Sequence, residues 1–200
     1  MTLTLDPRST ALMIIDLQKG IVSRETAPHS TKQVIDNCAR IGKQCDALGA
    51  LVIPVHVAFA ASGADRLAQP VDATMAAPAG GTPADWAELV PEIAALRSEV
   101  VITKRQWGAF HGTELDLQLR RRGIETIVLG GIATNFGVES TAREAWQHGY
   151  AVVVAEDACT SMSADMHAFS IEKICPRISR VRSTEEVVAA LAPASAKRGG

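Results

Sequence analysis

The sequence predicts an α/β fold of three layers, a largely parallel six-stranded sheet between two layers of helices. Three observations predict it. Short apolar runs alternate with helical stretches from one end of the chain to the other. The runs are apolar on both faces, as strands are when helices cover both sides of a sheet. Glycines and hydroxyl residues stand where helices would stop and start.

Each element can be justified in order. Residues 11–15 (ALMII) form an apolar run ending on Asp16, after the turn-prone DPRST. In 30–48, Val34, Cys38, Ile41, Cys45 and Leu48 recur at steps of four and three, one face of a helix that Gly49 ends. LVIPVHVAF (51–59) is the second strand. Residues 60–84 are rich in Ala, Gly and Pro and have no period, which in an ordered domain marks a lid, a binding loop or an interface. A short helix is expected within 84–96, a third strand at 99–103, and a helix through Arg122 that Thr113 caps and Gly123 stops. TIVLGGI (126–132) is the fourth strand and leads through ATNF into a helix over 137–148, closed by Gly149. AVVVAED (151–157) is the fifth strand, 165–174 a helix and 177–181 the sixth strand. Ser183 and Glu186 have capping-box spacing for a last helix to about Leu191. With no internal repeat and no second core, the chain reads as one domain, its core about 9–191 and its tail 192–200 flexible.

Composition excludes several classes. The chain has 200 residues, 20 Lys+Arg against 22 Asp+Glu, and 4% aromatics, so neither bulk charge nor stacking favours a nucleic acid. No apolar run approaches the length of a membrane span. MTLTLDPRST has no basic region followed by an apolar one, and the four thiols predict a reducing, cytoplasmic setting. Cys38, Cys45, Cys159 and Cys175 make no CxxC and lack histidines at zinc spacing, so no metal or other cofactor is expected.

In a parallel sheet, ligands bind beyond the carboxyl ends of the strands. Asp16, His56, Lys104, the loop after Ile132 and Asp157 all stand at such ends. Asp16 reads as a turn or cap residue, or as a partly desolvated acid or base. Lys104 reads as a solvated lysine beside Arg105, or as a cation paired with Asp16 that positions substrate. GGIATNFGVESTAR (130–143) runs from strand to loop to helix, and helix-start N–H groups form an anion site. It has neither GxGxxG nor GxSxG, which disfavours dinucleotide binding and a serine hydrolase. Trp107 and Phe110 read as packing or pocket lining, and His56 as pocket lining or a satisfied strand-end histidine.

Asp16-Leu-Gln18, Lys104 with WGAF (107–110) and GTELD (112–116), GGIATNFGVESTAR and AEDACTS (155–161) come in an order and spacing that resembles the isochorismatase-like hydrolase superfamily, over about residues 9–191. The resemblance implies a Rossmann-like fold and the activity of a hydrolase on a small-molecule substrate, assembled as a homodimer or homotetramer. It implies Asp16 and Lys104 as catalytic, a cis peptide at Ile132–Ala133 beside an oxyanion site, and Gln18, His56, Trp107, Phe110 and Thr134 around the substrate. Many members use a nucleophilic cysteine whose position matches Gly137, where a covalent route is closed. Isochorismatases proper also lack that thiol and hydrolyse a vinyl ether, so the resemblance implies Asp16 as acid and Lys104 as the orienter of substrate oxygens. It carries no metal to His56, which has no Asp-x-His partner. Two other readings stay open: a hydrolase recruiting Cys159, and an inactive binding or scaffold protein on the same fold.

Overall fold

The computed structural model describes residues 3–73 and 82–191. The tail expected to be flexible, 192–200, and residues 74–81 of the irregular segment lie outside the described residues. Six strands form one sheet: β1 (Thr10–Ile15), β2 (Leu51–Val57), β3 (Ile102–Lys104), β4 (Thr126–Ile132), β5 (Ala151–Thr160) and β6 (Arg180–Arg182). Their order is β3-β2-β1-β4-β5-β6, and every pairing is parallel. The helices are α1 (Lys19–Val22), α2 (Thr31–Leu48), α3 (Pro91–Ala94), α4 (Leu115–Arg121), α5 (Glu139–Gln147), α6 (Ala164–Phe169), α7 (Cys175–Ile178) and α8 (Thr184–Ala190).

The strands are continuously apolar because both faces are covered. In β1, Leu12 and Ile14 face a cluster built with α2, α3 and α8. Ala11, Met13 and Ile15 face a second cluster, which holds Leu115 and Leu119 of α4, Ala142 and Ala145 of α5 and Cys175 of α7. The helix α2 follows its heptad-like spacing closely. Ser30 caps it by accepting from Gln33 N at 3.2 Å, and Gly49 ends it at φ 72°. The capping box of α8 forms as its sequence predicts, Ser183 and Glu186 each bonding the other's backbone. No helix among the described residues is long and apolar enough to cross a membrane.

Several boundaries differ from the sequence expectation. The helix within 84–96 is only α3, because Pro91 forces Val90 into extended backbone (φ −64°, ψ 151°) and takes the first helical turn itself. The third strand starts at Ile102, not at 99. Ser98 Oγ donates to Val52 O at 2.9 Å and accepts from Val100 N at 3.3 Å, holding the backbone in a turn before pairing begins. The sixth strand starts at Arg180, not at 177, because residues 175–178 are helical. A π-turn (Ser170–Ile174) carries the helix from α6 into α7, where Pro176 sits in a first turn that needs no N–H donor. The helix that Thr113 is expected to cap begins at Leu115, one residue later than a cap at Thr113 places it, and Thr113 Oγ1 accepts from Leu115 N at 3.2 Å. A π-turn (Thr134–Val138) likewise precedes α5, so Gly137 lies inside it.

Candidate active site

The strand order reverses direction between β1 and β4, and in such sheets the crevice opens at that point, beyond the strands' carboxyl ends. Asp16 follows β1 directly, and the 133–138 turn follows β4 directly. The two strand ends are in register, Ile15 opposite Gly131. Gly131 is obligatory there: its φ is 126°, and a Cβ would fall 2.0 Å from Ile15 O. Lys104 is the last residue of β3, two strands away, and its long side chain reaches back across the strand ends.

Lys104 Nζ donates to Asp16 Oδ2 at 2.8 Å and to Trp107 O at 2.6 Å. Both side chains are nearly out of water, Lys104 at 1% and Asp16 at 10% exposed. Burial pushes the Asp16 carboxyl up to about 6, against the pull of the Lys104 ammonium. Asp16 Oδ1 is buried without a hydrogen-bond partner among the described residues. Asp16 also has φ 54°, a left-handed backbone that a non-glycine residue adopts at a cost of order 1–3 kcal/mol. Gly137 stands beside the pair. A Cβ there would lie 3.1 Å from Lys104 Nζ and 3.2 Å from Asp16 Oδ2. The pair and the glycine are thus closely packed, and Ile15 Cγ2 would stand 2.9 Å from the same Cβ. A carboxyl in that setting can exchange a proton with a bound molecule, and the ammonium can hold an oxygen.

The other expected site residues divide. The Ile132–Ala133 peptide is cis, at the bond for which the resemblance implies it. Trp107 brings its carbonyl to Lys104, while its half-exposed ring lies 4.7 Å from that of Phe136. Gln18 is fully buried, and both ends of its amide are spent on backbone. It donates to Val57 O and Trp86 O and accepts from Val57 N at 2.8 Å, so it ties the chain after β1 to the end of β2. His56 is the satisfied strand-end histidine, its Nδ1 paired with Ala87 O at 2.7 Å and its Nε2 with Thr103 Oγ1 at 2.8 Å. Phe110 is core, stacked on His148 and beside Tyr150, not pocket lining. Thr134 is fully buried, its hydroxyl paired with His167 Nδ1 at 2.8 Å. Cys159 is fully buried and its thiol pushed well up by desolvation, the opposite of an activated nucleophile.

Two contributors escape sequence reasoning. Glu144 of α5 accepts from Phe110 N at 3.0 Å and fixes the WGAF loop that presents Trp107 O. His167 of α6 anchors Thr134. Neither has a local signal, since each acts through a contact 33 or 34 residues distant in sequence.

Comparison with known proteins gives the family and agrees with the fold. The isochorismatase domain family matches residues 10–186. An uncharacterized isochorismatase family protein of Escherichia coli O157:H7, YecD, is 49% identical over 189 residues, 94% of this chain and 100% of that one. The structure of an isochorismatase family protein from Burkholderia thailandensis has a TM-score of 0.89 and 42% identity, over 96% of this chain and 99% of that one. A ureidoacrylate amidohydrolase, RutB of Acinetobacter baylyi, is 37% identical over 102 residues, 50% of this chain and 42% of its own length.

Proposed function

We propose a non-covalent hydrolytic mechanism for this chain, which belongs to the isochorismatase family of hydrolases. Its substrate is a small carboxylate-bearing metabolite with a vinyl ether or an amide to be cleaved. Asp16 and Lys104 carry the chemistry, and Gly137 occupies the place where other members carry a thiol. The observation that carries this reading is the buried Asp16–Lys104 pair, whose paired oxygen Oδ2 lies beside Gly137 while Oδ1 has no hydrogen-bond partner among the described residues.

For a vinyl ether the steps are as follows. Asp16, protonated, gives its proton to the enol carbon, and the ether carbon becomes an oxocarbenium ion. Water enters beside Gly137, attacks that carbon and returns a proton to Asp16. The hemiketal then breaks into a carbonyl compound and an alcohol. An ammonium has three donors, and Lys104 spends two on Asp16 and Trp107 O, which leaves the third for a substrate oxygen. Backbone N–H groups of the 133–137 turn hold the substrate carboxylate. For an amide, the ionised Asp16 takes a proton from water as base instead. Assembly as a homodimer or homotetramer belongs to the same reading, and the exposed Trp146 and Phe169 rings support it.

The test is turnover. Screening carboxylate metabolites with vinyl ether or amide bonds is expected to yield a substrate, and Asp16→Asn is expected to lower its kcat by about 10²–10⁴-fold. An Asp16→Asn protein that turns over the same substrate at the parent rate would remove Asp16 from the chemistry. A binding protein without activity would instead hold the ligand in both forms and convert it in neither.

A further inference from the structure

We propose that His29, Glu156 and His167 form a binding site for one divalent transition-metal ion of the zinc class. The site is joined to the turn after β4 through Thr134, whose hydroxyl pairs with His167 Nδ1 at 2.8 Å, and it stands whichever bond the Asp16–Lys104 pair breaks.

The three side chains converge from separate elements. Between Leu129↔Val154 and Gly131↔Cys159 the register of β5 slips, so that residues 155–158 stand opposite Gly130 alone. That bulge turns Glu156 out of the ladder. His29 lies on the turn before α2, its carbonyl held by Thr26 Oγ1 at 3.0 Å and Thr160 Oγ1 at 2.8 Å. His167 lies on α6 and is almost wholly buried.

Both imidazoles present Nε2 to the same carboxylate oxygen. His29 Nε2 is 2.7 Å and His167 Nε2 is 3.1 Å from Glu156 Oε1, and the ligand atoms all lie within 4.8 Å of one another. The rings stand at 87° with centroids 5.5 Å apart. Two imidazoles sharing a tetrahedral ion at about 2.0–2.1 Å place their centroids roughly 5 Å apart, so an ion needs only a small contraction.

The chemistry of the donor set points the same way. Two imidazoles and one carboxylate are a zinc-type ligand set with a fourth position for water. Glu156 and His29 are partly exposed, which leaves that position open to solvent. Each ring also has a partner behind it, as metal-bound histidines do. Nδ1 of His167 meets Thr134 Oγ1, and Nδ1 of His29 meets the Gln33 amide at 3.1 Å. In the bound form Nε2 of each ring faces the ion and Nδ1 carries the proton, which the Thr134 hydroxyl and the turned Gln33 amide accept. The bound ion would then brace Thr134 and the turn that carries Gly137.

The experiment is calorimetric titration of the chelator-stripped protein with zinc, and with cobalt(II) followed by visible absorption. One ion per chain at micromolar Kd or tighter is expected, with cobalt bands of a four- or five-coordinate ion. Glu156→Gln and His29→Ala are each expected to weaken binding about a hundredfold or more. Both positions are partly exposed, and far-UV circular dichroism checks that the variants fold. No stoichiometric binding by the parent, or binding that survives in both variants, overturns the site. The His–Glu–His contacts would then be hydrogen bonds that hold Thr134 and nothing more.

Discussion

Asp16 carries two costs at once, a left-handed backbone at φ 54° and a carboxyl held almost out of water. The second is measurable. Its pKa is raised from 3.8 to about 6, so over that interval the folded chain binds a proton that the unfolded chain has released. Stability therefore falls as pH rises through this window and is flat, for this group, on either side. The gap corresponds to roughly 3 kcal/mol. Asp16→Asn removes the titration, so the parent is expected to lose that much stability relative to the variant between pH 4 and pH 7, in urea unfolding at each pH. Parallel curves for the two proteins would show that Asp16 titrates normally. Turnover of a vinyl ether, if Asp16 is the acid, falls over the same interval as pH rises past about 6. At this scale the pair was legible in the sequence, because a residue type directly after an apolar strand has a known place at the sheet rim. Gln18, His56 and Phe110 were not. Whether a side chain spends its polar atoms on its own backbone, or its ring on the core, depends on partners 31 to 68 residues distant in the chain.

Elements with a strong period were readable, and short ones were not. The eighteen residues of α2 and the seven of β4 appear almost where their patterns place them, since apolar spacing and a glycine stop act together. The third and sixth strands have three residues each, too few to outweigh a serine turn or a π-turn running on from the preceding helix. The β5 bulge that turns out Glu156 has no sequence signal of its own. What β1 and β4 require of each other is sharper. Gly131→Ala would push a Cβ to 2.0 Å from Ile15 O at a φ of 126°, whereas Gly49→Ala, at φ 72°, meets nothing within 4 Å. The first is expected to cost about 3 kcal/mol or more, through backbone strain and overlap. The second is expected to cost about 1–2 kcal/mol, from the left-handed backbone alone. Chemical denaturation orders the two, and equal losses would mean that β1 and β4 part easily at the rim.

Across the whole molecule, the four cysteines report on both sides of the sheet. Cys38 and Cys45 belong to the cluster under α2, and Cys159 and Cys175 to the cluster under α4, α5 and α7. All four are free and buried, and desolvation pushes every thiol up, Cys45 to about 12 and Cys175 to about 11. A buried, protonated thiol reacts only when the structure around it opens. The proposed mechanism uses none of them, so iodoacetamide is expected to leave the native protein unmodified and its activity intact. Under denaturant the readout becomes one of cooperativity. The sheet contributes side chains to both clusters from the same strands, Leu12 and Ile14 to one and Met13 and Ile15 to the other. Losing either helical layer exposes the apolar back of β1 and leaves the other layer without its floor. We therefore propose that the two clusters form one folding unit. Pulsed alkylation across a urea gradient, read by mass spectrometry at each cysteine, is expected to give one midpoint for all four thiols. If Cys38 and Cys45 react at lower urea than Cys159 and Cys175, the layer under α2 opens by itself, and the chain holds two units of unequal stability on one sheet.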